Sequence, residues 1–534
     1  MTVILFYCHF SAHVDNGEVS STTRNWLIGI AAVAGLAILG LFWVNNKLGP
    51  GARIKVIDLL SKRFHADVEL RSLQVSLFPP KVVGEGLALR HKEWGSTAHP
   101  MIAIRKFTAA TTVSSLLGTV KSVSLVRLEG LEIHLPPQGR SAMKKGLTGS
   151  QSAGGGSGSH FPFVIEKIVA DGALLEIEPK TSGKEPLQFA ITKLSLHSVG
   201  PGQPMAFDAV LANPKPPGLI NTKGSFGPWN ADSPRETALS GDYIFRNADL
   251  SVFNGISGIL SSTGHYGGVL DRIEAQGTTD TPDFALATGG HTVDLKTQFS
   301  AVIDGTNGDT LLQPVIARFL NTEFDCRGGV TGTPGIKGKT VSLDVKTIRG
   351  RIEDILTLTT KADTPVLRGD TNFQTKLNLP PGPGQVMDRL ELAGQFAIKS
   401  ARFSSQDVAE KITRLSLRAQ GRAKELDDAT GTVASNFGGR FSLKKGNATF
   451  SRLTFSVPGA VVTLNGYYGL KTETMDFHGN ARMQARLSQM VTGFKSLLLK
   501  PVDPFFAKQG AGAVIPIKIT GTRKNPSFGL ELKR

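Results

Sequence analysis

Leu453-Thr454-Phe455-Ser456-Val457-Pro458-Gly459-Ala460-Val461-Val462-Thr463-Leu464 holds the pattern that decides the fold. On both sides of Pro458-Gly459, apolar side chains fall on alternate residues: Leu453, Phe455 and Val457, then Val462 and Leu464. Successive side chains of a strand point to opposite faces, so a period of two makes one apolar and one polar face. Pro-Gly then reverses the chain. Working outward, the same phrase recurs at Leu194/Leu196, Phe207/Ala209/Leu211, Leu343/Val345, Leu390/Leu392 and Phe441/Leu443. It returns at Ile515/Ile517/Ile519 and Phe528/Leu530/Leu532. Each run closes on Gly, Pro or Asn, the spacing of an antiparallel meander. No sequence repeat of fixed length accompanies it.

Composition agrees. Glycine supplies 60 of 534 residues, against a usual share of about 7%. Phe accounts for 29 residues beside five Tyr and four Trp, and charged residues make up only 19%. Disorder, which needs high charge and few aromatics, is excluded. The net charge is +16, but the basic residues come singly or in pairs such as Lys62-Arg63 and Lys444-Lys445. Nucleic-acid binding needs a clustered basic stripe with interleaved aromatics, so no nucleic-acid partner is expected. Too few Tyr and Trp are present for the aromatic girdles of an outer-membrane barrel.

Trp26–Val44 reads WLIGIAAVAGLAILGLFWV, 19 residues without a charge and with Trp at both ends. Such a run spans a hydrocarbon core of about 30 Å, and its Trp residues suit the interfacial belt. A cleaved signal peptide is the alternative, but its apolar region is shorter and ends at small residues. An uncleaved anchor is therefore predicted. Lys47, Arg53, Lys55, Lys62 and Arg63 follow the segment, and the positive-inside rule taken alone puts the large domain in the cytoplasm. Large domains translocate regardless of such charge, which leaves orientation open.

Six regions follow: a tail, 1–25; the transmembrane helix, 26–44; an N-terminal β region, 45–137; a Gly/Ser-rich linker, 138–160, with a GGGSGS centre; a central β region, 161–349; and a C-terminal β region, 350–534. Ile54–Leu60 reads as a short amphipathic helix. Further helices are predicted over Leu250–Leu260, Thr310–Leu320, Ile352–Leu358, Asp407–Leu415 and Ala485–Leu499. In the last, Leu487, Met490, Val491, Phe494, Leu497 and Leu498 form an apolar stripe at helical spacing. It reads either as a cap on the end of a sheet or as a docking helix for a membrane or partner.

No reactive motif stands out, and neither an enzyme nor a cofactor is predicted. His9 and His13 have no carboxylate helper for a metal. Cys8 and Cys326 lie on either side of the apolar segment, so no disulfide framework forms. Gly332–Thr340 ends like a phosphate-binding loop, but a strand follows where a helix is required, so it reads as a Gly/Lys turn.

Several stretches resemble the AsmA-like family of bacterial envelope proteins. Near the anchor these are Val68-Glu69-Leu70-Arg71-Ser72-Leu73-Gln74-Val75-Ser76-Leu77-Phe78-Pro79 and a strand resuming at Val82. In the C-terminal region they include Arg349–Ile355, Val457-Pro458-Gly459-Ala460, Leu464-Asn465-Gly466-Tyr467-Tyr468 and Ile519–Phe528. Order and the single anchor carry the likeness. The resemblance implies a long curled β structure, groove- or β-taco-like, with a few short helices, held to the inner membrane with its bulk in the periplasm. It implies phospholipid or another envelope lipid as partner, in lipid transport or outer-membrane assembly, with a possible outer-membrane or envelope protein partner. Phe441, Leu443, Phe450, Leu453, Phe455, Val462 and Leu464 are the candidate groove lining. A closed sandwich core has the same alternation, and a membrane-tethered scaffold that binds only proteins is the competing reading. At about 13 residues per strand and turn, about 30 strands are expected, which stacked at about 4.8 Å reach at most about 140 Å.

Overall fold

The computed structural model describes residues 51–531 apart from 92–99, 113–120, 136–162, 178–186, 200–203, 229–235, 305–308, 427–432, 493–499, 508–511 and a few shorter turn segments. The predicted transmembrane segment and the Gly/Ser-rich linker lie outside these residues. Among the described residues no helix is long and apolar enough to cross a membrane.

The protein is mainly β, and all 25 described strands belong to one sheet that is not closed. A 14-residue helix, α1 (Gly51–Phe64), leads into β1 (Ala66–Leu77), β2 (Pro80–His91), β3 (Ile102–Ala110), β4 (Lys121–Val123) and β5 (Leu125–Leu135). After the linker come β6 (Phe163–Ile177), β7 (Leu187–Val199), β8 (Met205–Pro214), β9 (Pro217–Phe226) and β10 (Ala238–Asp249). The middle contains β11 (Ile256–Ser257), β12 (Ile259–Val269), β13 (Arg272–Leu286), β14 (Val293–Ile303), β15 (Thr310–Phe319), β16 (Thr322–Gly332) and β17 (Lys339–Arg349). The last third contains β18 (Leu367–Leu379), β19 (Glu391–Phe403), β20 (Ser435–Lys444) and β21 (Asn447–Val457). It ends with β22 (Ala460–Gly469), β23 (Thr474–Met483), β24 (Ala513–Thr522) and β25 (Pro526–Leu530).

Nearly every strand pairs antiparallel with its sequence neighbour, as the alternation predicted. The sheet is mixed rather than wholly antiparallel, because β6 runs parallel to β4 and β5. A parallel pair needs a long crossover, and the 27 residues between Leu135 and Phe163 supply one. Strands on either side of the linker therefore share one sheet.

The order of strands sorts the connections. Pairing register places α1, the β10–β11 connection and the chain after β17, β19 and β23 at one rim of the sheet. This helical rim carries α2 (Ile352–Thr359), α4 (Gln406–Ala419) and α5 (Asp503–Phe506). Among the described residues the opposite rim has hairpins and the four-residue α3 (Val386–Arg389) between β18 and β19. Apolar side chains from the helical rim fold onto the apolar sheet face in three clusters. Val56 and Leu60 of α1 join Leu70, Leu87 and Ile104. Leu250, Phe253, Ile355 and Leu358 join Phe299, Leu312 and Leu343. Leu415 of α4, with Leu487 and Met490, joins Ala460, Ala481 and Met483.

Helices form as expected at α2 and α4, and α1 extends the predicted Ile54–Leu60 by a turn beyond each end, with Ile54 exposed. Two other expectations are corrected. Thr310–Leu320 is strand β15, ending in a turn at Leu320. A bulge between Leu312 and Val315 inserts extra residues, so Leu312, Val315 and Phe319 are buried at spacings that imitate a helix. Leu250–Leu260 begins as a 3-10 turn, Leu250–Val252, whose amide at Ser251 is capped by Asp249 at 2.8 Å, and continues as β11 and the start of β12. Gly255 at φ +111 and Gly258 at φ +133 then break any helical path.

The predicted helix Ala485–Leu499 is also not continuous. Leu487–Met490 forms one 3-10 turn and Val491 is extended, while Phe494, Leu497 and Leu498 lie outside the described residues. Asp503 sets this turn by accepting from the Ser488 amide at 2.8 Å and the Ser488 hydroxyl at 2.7 Å.

Candidate functional site

Directly paired residues point to the same side of a sheet, so side chains can be followed from strand to strand. One row starts Leu73, Gly84, Phe107, Leu128, Ala170, Leu194, Ala209. It continues Thr222, Tyr243, Gly264, Gly277, Phe299, Val315, Cys326. Next come Val345, Thr375, Gly394, Phe441, Phe450, Gly466, Phe477, Ile519 and Phe528. It crosses every strand except the short β4 and β11 without one charged residue. At about 4.8 Å per step its contour is about 105 Å before twist.

The opposite face carries the charge. There Glu85 pairs with Lys106, Lys106 with Glu129 and Glu129 with Asp171. Asp208, Lys223, Asp242 and His265 form a similar row, with Lys223–Asp208 at 3.2 Å and His265–Asp242 at 3.0 Å. Apart from the like pair Glu129 and Asp171, these opposite charges side by side stabilise a solvated face modestly. A depression of about 570 Å³ on this face is lined by Asp370, Asn372, Gln395, Lys399, Arg440 and Arg452. Its charges are of mixed sign, with no nucleophile–base pair.

Gly and Phe interlock on the apolar face. A Cβ on Gly84 would stand 2.3 Å from the Phe107 ring, and one on Gly466 would stand 2.8 Å from the Phe477 ring. Glycine thus makes room for a neighbouring ring.

Coverage of the face changes along the sheet. Phe107 is 1% exposed, and Leu312, Val315 and Cys326 are also buried. From β18 to β21 the floor is phenylalanine and half-buried. Phe373 stacks on Phe441 at 5.4 Å, with Phe396 at 6.3 Å from the same ring. Phe437 stands 5.9 Å from Phe403 and 4.8 Å from Phe455. At the far edge the face runs out to solvent, with Phe528 73% exposed.

All seven candidate lining residues lie on this face. Phe441, Phe450, Leu453, Phe455 and Val462 are half-buried, whereas Leu443 and Leu464 are buried. Sequence reasoning missed Phe373, Phe396, Phe403 and Phe437. Gly394-Gln395-Phe396 and Gly439-Arg440-Phe441 held a signal, since both place Gly and Phe on the same face. Of the candidate docking residues, Leu487 and Met490 turn inward to the third cluster.

Most hydroxyls on the buried face meet another hydroxyl or the backbone, whereas those of Thr281 and Ser435 are buried without a hydrogen-bond partner. Thr279 meets Thr297 at 2.6 Å, Thr222 meets Tyr266 at 2.8 Å and Tyr243 meets Ser262 at 3.1 Å. Among the described residues no group of three His, Cys, Asp or Glu could hold a metal. Burial pushes the Cys326 thiol up, away from the reactive thiolate. Gly332 and Lys339 bound a turn between β16 and β17 as expected, and Lys339 is buried against Asp309 at 3.0 Å.

No family model, curated protein or solved structure matches this chain. What the arrangement can do follows from its own chemistry. An uncharged apolar row beside water binds apolar chains by excluding water, at about 0.8 kcal/mol per buried CH₂.

Proposed function

We propose that this chain is an inner-membrane-anchored envelope protein whose curled sheet binds lipid acyl chains and carries them toward the outer membrane, or assists outer-membrane assembly. Trp26–Val44 serves as its anchor and the sheet occupies the periplasm. The observation that carries the proposal is the uncharged row from Leu73 to Phe528, with its half-buried Phe floor over β18 to β21. Resemblance to the AsmA-like family supports the same reading, and no enzymatic step is part of it. Photo-crosslinkers at Phe396, Phe437 and Phe441 should capture phospholipid in cells, and those at the adjacent outward positions Gln395 and Arg440 should not. Equal capture from both faces, or none, removes the proposal.

A protein-binding scaffold is the second reading, favoured by one observation. The first two clusters are filled by the chain's own side chains and roofed by α1 and α2. A closed interior there leaves only the later strands for cargo. Native mass spectrometry of the purified chain separates the readings: bound phospholipid supports the carrier, and none supports the scaffold.

A further inference from the structure

The cap after β19 turns a net positive charge outward, its exposed acids Asp407, Glu410 and Glu425 being outnumbered by exposed Lys and Arg. Helix α4 buries Ala409, Thr413, Ser416 and Ala419. Lys411, Arg414 and Arg418 form the exposed stripe on its other side at i, i+3 and i+7. Asp407 neutralises Lys411 at 2.8 Å, and Glu425 pairs with Arg422. Arg414, Arg418, Lys424 and Lys500 are exposed and enter no ion pair among the described residues. The Ala485 amide donates to the Ala419 carbonyl at 2.8 Å, which brings the exposed Arg486 beside the helix end. Like charges at i and i+4 weaken a helix, so Arg414 and Arg418 gain from an anionic counterpart.

The location of the stripe selects that counterpart. α4 leaves β19 just after Phe403, and β20 enters with Phe437, whose ring stands 5.9 Å from that of Phe403. The basic cap therefore stands at one margin of the half-buried Phe floor. An acidic protein would need the charges but not the apolar floor beside them. A bilayer with anionic lipid uses both, since basic clusters are held at its surface and its acyl chains suit the floor.

We propose that the α4 cap docks on the surface of an anionic bilayer and presents the Phe403–Phe437 margin to its lipids. This rests on the lipid-carrying reading above. The full chain, held in a phosphatidylcholine nanodisc, is offered vesicles of phosphatidylcholine alone or with about one-third phosphatidylglycerol. Capture of the anionic vesicles should be stronger by about tenfold or more and should fade with salt. Arg414→Glu with Arg418→Glu should abolish the preference, Arg414→Gln with Arg418→Gln should weaken it, and Arg414→Lys with Arg418→Lys should keep it. Unchanged circular dichroism and melting verify the fold of each variant. Equal capture of both vesicles, or a preference that survives charge reversal, overturns the proposal and leaves an acidic protein as the occupant. Native mass spectrometry separates the two readings. Bound lipid without an anionic preference sinks the docking alone, whereas preference without bound lipid sustains docking and sinks the carrier.

Discussion

Val386 reaches across the open side of the sheet to Gly255: its Cγ2 lies 3.5 Å from the place a Cβ on Gly255 would take. Val386 belongs to α3 on the hairpin rim and Gly255 to the β10–β11 connection on the helical rim. Residues of opposite rims thus meet. The α3 loop is also tied to the β22–β23 turn by an ion pair between Asp388 and Lys471.

Gly255→Ala tests that junction. A Cβ there meets Val386 at ordinary contact distance, but φ +111 is a conformation that side chains rarely adopt. Destabilisation of about 1 kcal/mol is expected from the backbone alone. Thermal unfolding measures it, and Val386→Ala in the same background should not restore the loss.

Gly84→Ala fails for the opposite reason. Its backbone accepts a side chain, but the new methyl would stand 2.3 Å from a Phe107 ring that is fully enclosed. Overpacking of this kind costs about 1–3 kcal/mol. Adding Phe107→Leu should recover part of the loss, and a double-mutant cycle by denaturant unfolding would show that coupling.

Phe441→Ala and Phe107→Ala should differ. Truncating the enclosed Phe107 is expected to cost about 3–5 kcal/mol. Phe441 is half-buried, and its truncation should cost about 1–2 kcal/mol by area while lowering bound lipid. Equal destabilisation at both sites would identify the Phe floor as closed core.

His478 gives a pH signature. Its ring lies 2.8 Å from Asp476 and 3.0 Å from Glu531, just beyond β25. The Asp476 hydrogen bond raises its pKa most, desolvation opposes this, and Glu531 adds to the rise. A raised folded pKa contributes stability that is complete below the unfolded value of about 6.5 and lost as pH rises through the folded value. Amides of β25 should therefore be better protected at pH 6 than at pH 8, after correction for intrinsic exchange. His478→Gln should erase the difference.

Asp503 has the opposite sign. Burial works against its charged form, but hydrogen bonds from the Ser488 hydroxyl and amide outweigh this and hold the carboxyl below its ordinary range. The stabilisation is present above the unfolded value of about 3.9 and disappears as pH falls through the folded one. Asp503→Ala should cost about 2 kcal/mol at pH 7 and much less near pH 2, read by acid unfolding of the C-terminal cap.

Much of the architecture was legible because strand alternation is local. Phe441, Leu443, Leu453 and Leu464 could be assigned to one face by counting in twos. Counting failed at Thr310–Leu320, where the bulge at Gln313-Pro314 shifted the phase and gave apolar spacings of three and four. It failed again at Ala485–Leu499, where Asp503, thirteen residues beyond Met490, draws Ser488 into a single turn.

The sequence by itself determined that strands form, where most turn, and that alternate residues are apolar. Those properties depend on side chains one or two positions apart. Which residues share a row depended on register, and register is set by pairing partners as much as 51 residues distant, as when Leu392 meets Leu443. The parallel β5–β6 pair, the gathering of helices on one rim and the meeting of Val386 with Gly255 are of that kind. They were decided by tertiary structure, because twist and curl accumulate over the whole sheet while each residue encodes only its own step.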